Sequence, residues 1–270
     1  MRADTPDAAV VCVLSAGWRK GLFFDFMPLA RDRPLREYNL WGVLGSFYAY
    51  LLNQAHRLDE SQWDSLFSQG WFPFASLPKP ILRRMISAVR SGSGTGPEID
   101  IITAAINAMA PYMRSRWSRA ALLQEHVLLL ERALDRFLER DYVSATSILY
   151  PRIEGILRSM SSVSGSTSFR PAALAQTVVN MSAGQVHEYS WLLPRRFQEY
   201  LEKVYFAGFS PGRPAVLSRH SVGHGVAQME DFNQKHACIA LLIVDQLRFL
   251  LPVEQTAVAH QAPPPHTKRG

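Results

Sequence analysis

The chain has 270 residues, 47% of them apolar, and a net charge of +6, an ordinary composition for a globular protein that buries a sizeable core. Two cysteines, Cys12 and Cys238, lie far apart and in different settings, which excludes a disulfide framework or a thiolate metal site. The longest apolar run, 237–251, is too short and, through Asp245, Gln246 and Arg248, too polar to span a bilayer.

Asp4 and Asp7 outweigh Arg2 ahead of the first apolar run, where a secretory signal would carry positive charge, so a cytoplasmic protein is expected. "GLFFDFM" (21–27) reads as one short strand or an extended plug. Residues 36–57 carry apolar side chains at helical spacing, among them Leu40, Val43, Leu44, Phe47, Leu51 and Leu52. Asp59 then caps a second helix. "GWFPFASLP" (70–78) breaks the pattern, and its aromatic rings are expected in a core.

A helix over 79–90 ends at "SGSGTGP" (91–97), which lacks the Gly-Lys-Ser/Thr ending of a phosphate-binding loop. Helices are predicted over 98–112 and, longer, over 117–141, where Leu122, Leu123, Leu130, Leu134, Phe137 and Leu138 share a face. Another spans 143–160 and is started or kinked by Pro151, followed by a loop at 161–169. Helices near 171–182 and 195–206 precede a turn-rich connector at 207–216. Ser218 caps a helix through about 229, and 233–251 is a buried final helix. The tail, 252–270, has a disordered composition.

The basic residues are 24 Arg against 5 Lys. Arginine is the better fork for phosphate, so the balance permits a nucleic-acid partner, although a GC-rich coding sequence accounts for it equally well. The stretch "LSRHSVGHG" (217–225) sets Arg219, His220, His224 and Gly225 at the start of a helix. Four residues separate Arg219 from His224, the first of them a polar residue, His220. This pattern resembles the R-polar-x3-H signature of the HEPN superfamily (higher eukaryotes and prokaryotes nucleotide-binding domains). The apolar helix after the motif fits that likeness, and "PRIEGILR" (151–158) resembles the acidic first-helix segment of such domains. The likeness covers roughly residues 120–251.

The helical patterning and the resemblance together give an expected all-α fold, with an N-terminal mostly helical region (1–116) whose role the sequence does not show, packed against the HEPN-like bundle (117–251) that the resemblance implies. The resemblance also implies a metal-independent endoribonuclease in phage defence or toxin-like growth arrest. Two copies of the motif would meet across a homodimer, RNA would be the substrate, and an antitoxin or defence-system protein a possible partner. No cofactor and no metal are implied, and no membrane is involved. Arg219, His224 and His220 would be catalytic, with Glu154 and Gly225 in support. The alternative is a non-catalytic HEPN-like module that binds a nucleotide, RNA or a protein. A tyrosine two residues after the histidine, where some members are modified, is replaced here by Val226.

The residue types suit RNA cleavage without a metal. The 2′-hydroxyl must lose a proton as it attacks the phosphate, and histidine exchanges protons near neutral pH. Arginine stays charged and stabilises the extra negative charge that builds on phosphorus. His220 and His224, four residues apart, would share a helical face, a spacing that also suits zinc. His236 lies twelve residues further on, and no third ligand stands in a metal-binding frame. Gly225 would let a partner helix or RNA backbone approach. Glu154 is placed either to pair with Arg158 one turn on or to reach Arg219 or His224. His187, Tyr189 and Trp191 form a base-stacking group or a piece of core. The dimer expectation rests on the apolar final helix and on the half-site character of a single motif.

Overall fold

In the computed structural model, residues 10–15, 21–25, 54–92, 99–182, 192–208 and 217–251 are described. The chain divides into two units, Met1–Tyr48 and Ala49–Gly270. In the first, β1 (Val10–Ser15) pairs antiparallel with β2 (Gly21–Asp25), Val10 facing Asp25 and Ser15 facing Gly21, with an irregularity between Cys12 and Leu14. β2 is the strand expected from "GLFFDFM"; β1 lies in the apolar run before it. The helix predicted over 36–57 falls largely outside the described residues, and only the 3-10 turn Gln54–Arg57 belongs to them.

The second unit is all-α. Its helices are α1 (Glu60–Ser68), α2 (Lys79–Arg90), α3 (Ile99–Ser118), α4 (Val127–Leu138) and α5 (Tyr142–Val163), then α6 (Pro171–Ser182), α7 (Pro194–Tyr200), α8 (Arg219–Gly223) and α9 (Gln234–Leu250). Asp59 caps α1 as predicted, accepting from the Gln62 amide while the Gln62 side chain returns to the Asp59 amide. Proline near the first turn starts α2, α6 and α7. Asn233 caps α9 through the His236 amide.

α5 is the centre of the bundle and packs on α4, α6, α8 and α9. It is buried on most of its circumference, through Leu149, Tyr150, Ile153, Ile156, Leu157 and Met160. Pro151 lies inside the helix rather than at its start. Its ring is exposed, so the backbone bond it cannot donate is lost on the wet side. α9 also packs on α3 and is apolar nearly all round. Trp71, Phe72 and Phe74 from the irregular 70–78 segment enter the core, where Phe72 and Phe74 pack on Phe197 and Tyr200 of α7.

Three expectations are corrected. The division at 116/117 falls inside α3, and residues from Ala55 to Leu251 share one core, so the helices of 54–116 belong to the same unit as the rest. The single helix predicted over 117–141 is broken. α3 runs on through Pro111 to Ser118, a 3-10 turn (Ala121–Leu123) follows, and α4 begins at Val127. The Gln124 side-chain Nε2 donates to the Ser118 carbonyl at 2.5 Å and so satisfies a helix end that no glycine or proline announces. Leu130, Leu134 and Phe137 are buried on α4 as expected, whereas Leu138 is exposed.

The third correction concerns α9. Its apolar side chains from Ala237 to Leu247 are buried within the chain itself, so α9 does not supply an apolar face for a second copy. Among the described residues, no helix is long and apolar enough to cross a membrane.

Candidate functional site at the start of α8

The helix that opens with the motif is short, and its sequence explains both ends. Ser218 is an extended N-cap that accepts from the Ser221 amide, while the Ser221 hydroxyl takes the Ser218 amide at 2.8 Å. The end comes at His224, not near 229. The Gly225 amide bonds the Val222 carbonyl and the Val226 amide bonds the Ser221 carbonyl, the two bonds of a Schellman stop. That stop needs a left-handed residue, and Gly225 has φ +68°. A Cβ at 225 would meet no atom of this chain within 4 Å, so within the chain it is the backbone conformation that requires glycine there.

α8 packs against α5, and the contact brings Glu154 to Arg219. Glu154 is only 8% exposed, a charge that has to be paired where it sits. Its Oε2 accepts from Arg219 Nε, and its Oε1 accepts from Arg158 Nε at 2.9 Å and Nη2 at 2.7 Å. Both expectations for Glu154 therefore hold at once, one carboxylate oxygen for each guanidinium. Two arginines on one carboxylate leave a net positive charge at a partly exposed surface. The Arg219 side chain runs forward along its own helix, so that a Cβ on Gly223 would lie 3.6 Å from its Nη1.

His220 and His224 stand one turn apart with ring centroids 6.2 Å apart and an interplanar angle of 17°. His224 is exposed and His220 half-buried. Burial, Arg219 and His224 together push the His220 imidazole below its ordinary value, against the pull of Glu154. Behind the ion pair, Tyr205 donates to the Tyr150 carbonyl at 2.6 Å and meets Phe206 edge to face, closing the core side with aromatic rings. Tyr205 ends the π-helical turn Leu201–Tyr205 that continues α7.

Arg158 and Phe169 belong to the same surface and were not singled out as site residues by the sequence. The Arg158 guanidinium carbon lies 5.0 Å from the Phe169 ring centroid. The i,i+4 spacing of Glu154 and Arg158 was the available signal; nothing local ties Phe169 to them. His187, Tyr189 and Trp191 lie outside the described residues. Among the described residues, no group of three or more His, Cys, Asp or Glu side chains is placed to hold a metal ion. Cys238 is buried beside Thr103, and burial pushes its thiol up to about 12.

Compared with known proteins, the chain matches no protein-family model, no curated protein and no solved structure. What this surface can do chemically is bind an anion between arginines and exchange protons through an exposed imidazole.

Proposed function

We propose that the protein is a metal-independent endoribonuclease of the HEPN type, acting in the cytoplasm in phage defence or growth arrest. The observation that carries this reading is the grouping on one short exposed helix of Arg219, fixed by the buried Glu154, with the stacked pair His220 and His224. In the proposed reaction the 2′-oxygen attacks the adjacent phosphorus and its proton passes to a histidine. The bond from phosphorus to the 5′-oxygen breaks, and that oxygen takes a proton from a second histidine. Arg219 stabilises the charge on the phosphorane, and Glu154 and Arg158 position Arg219. His224 is the proton-transfer group, and His220 contacts phosphate or orients the site.

One motif is half of such a site, so the enzyme is proposed to work as a homodimer whose two copies bring Arg219 and His224 together. An antitoxin or defence-system protein is a further proposed partner.

A second reading has one observation in its favour. The pairing of Arg219 with Glu154 is also a way to fasten α8 to α5, as a non-catalytic module that binds nucleotide, RNA or protein would require. Incubation of the purified protein with single-stranded RNA in EDTA separates the two. Cleavage that leaves a 2′,3′-cyclic phosphate and a 5′-hydroxyl supports the enzyme. Binding without cleavage supports the module. Activity lost on chelation and restored by zinc would instead assign His220 and His224 as ligands. Sedimentation at micromolar concentration checks assembly, where a monomer that still cleaves would overturn the dimer.

A further inference from the structure

Phe169 is 40% exposed, in the loop between α5 and α6, where an aromatic ring gains nothing from water. Its position is set by Arg158, whose guanidinium lies over the ring. Arg158 is itself held by two hydrogen bonds to Glu154, and Glu154 by Arg219. Ring, guanidinium, carboxylate and guanidinium thus form one continuous run from the loop to the motif helix. Arg170, exposed, follows Phe169 and adds positive charge at the same edge. An exposed ring backed by an arginine, next to arginines that suit phosphate, is the chemistry that holds an unstacked nucleobase and its backbone together.

We propose that Phe169 and Arg158 form a stacking subsite for one base of single-stranded RNA, next to the phosphate held at Arg219. The inference rests on the ribonuclease reading and deepens it, by naming single-stranded RNA as the substrate class and Phe169 as a residue that selects it. Duplex RNA keeps its bases stacked on one another and does not offer the ring a partner.

The test uses the full chain, a short fluorescent single-stranded RNA, the same RNA with one abasic position moved stepwise along it, and its duplex. Phe169→Ala is expected to weaken single-strand binding roughly 5- to 150-fold, the range for losing one base–aromatic stack, and to raise KM with kcat little changed. Phe169→Tyr, which keeps the ring, should restore binding, and the melting temperature of both variants should match the parent. One abasic position should weaken the parent and leave Phe169→Ala unaffected.

Three results would overturn the proposal. Equal binding by parent and Phe169→Ala, while Arg219→Ala still abolishes cleavage, removes the subsite and leaves the ribonuclease standing. Equal effects of Phe169→Ala on single strand and duplex, or no sensitive abasic position, would show that Phe169 does not stack a base. A parent that neither binds nor cuts single-stranded RNA removes both readings, and a protein partner captured through Phe169 would then account for the exposed ring.

Discussion

Glu154 of α5 and Arg219 of α8, 65 residues apart in sequence, meet as an ion pair through Oε2 and Nε. Glu154 is nearly buried, whereas the Arg219 side chain is 32% exposed, so the pair sits at the boundary between core and solvent. Its second oxygen belongs to Arg158. The carboxylate therefore fastens the motif helix to the central helix and fixes the direction of the arginine.

Glu154→Gln keeps the shape and removes the charge. Two arginines then lose a charged partner, which is worth roughly 1–3 kcal/mol for charge-assisted hydrogen bonds. Chemical denaturation should show a loss of that size, and RNA cleavage should fall with it because Arg219 is no longer held. A variant as stable as the parent would mean that the pair does not fasten α8.

The stop at Gly225 gives a second prediction. Gly225→Ala places a Cβ at φ +68°, a conformation that costs a non-glycine residue roughly 1–2 kcal/mol. Because no atom lies within 4 Å of that Cβ, the penalty is conformational rather than steric. Ser218→Ala removes the N-cap at a cost of about 0.5–2 kcal/mol. Hydrogen exchange of the Val222–Val226 amides should quicken in both variants; unchanged protection would argue against the described ends of α8.

Much of this was readable from the sequence, and the failures have physical causes. Capping signals at Asp59 and Ser218, and prolines ahead of α2 and α6, mark helix starts because each satisfies or removes an orphan amide locally. The end of α8 was written as glycine, but Gly225 read equally as room for a partner helix or RNA backbone. The break after Ser118 is set by a side-chain cap from Gln124 and by packing, neither of which has a composition signal. The polar residues inside the last apolar run were visible, but their partners were not. Asp245 takes Arg116 from α3 at 2.7 Å, and Gln246 joins the Ala75 amide to the Leu192 carbonyl, both at 2.9 Å. The pairing of Glu154 with Arg219 was one of two readings of Glu154, and only the fold shows that both hold.

Gln246 is fully buried with both ends of its amide used. Gln246→Leu keeps the volume and leaves the Ala75 amide and the Leu192 carbonyl without this partner, at roughly 1–3 kcal/mol for each group. The expected drop in melting temperature is therefore larger than for an ordinary surface change, and Gln246→Glu should not rescue it. A neutral result for Gln246→Leu would show that water replaces the amide.

Stability should depend on pH through His126. Burial pushes its imidazole below the ordinary 6.5, with Glu125 raising it and Arg152 lowering it further. Its Nδ1 is buried without a hydrogen-bond partner, and its Nε2 faces Ser159 and Glu125. His236 is lowered in the same direction by burial. The unfolded chain thus binds these protons more readily than the folded one, so their contribution is complete above about pH 6.5 and is lost as pH falls below it. Denaturation midpoints measured from pH 8 to 5 should be flat and then decline, and His126→Gln should flatten the decline. A midpoint that rises on acidification would contradict the assignment.

The central claim is that Arg219 and His224 perform chemistry, and the most direct measurement is RNA cleavage in EDTA by the parent, Arg219→Ala and His224→Ala, each with its melting temperature. His224 is exposed at the helix end, so His224→Ala should change stability by no more than about 0.5 kcal/mol while lowering the rate roughly 10²- to 10⁴-fold. Arg219→Ala should lower the rate roughly 10²- to 10³-fold, with a measurable loss of stability because Glu154 gives up one partner. His220→Asn, which keeps a polar group after the arginine, should be milder than either. The parent should cleave and His224→Ala should be stable and nearly inactive; a His224→Ala that is as stable as the parent and cuts RNA equally well would rule out the catalytic role of His224.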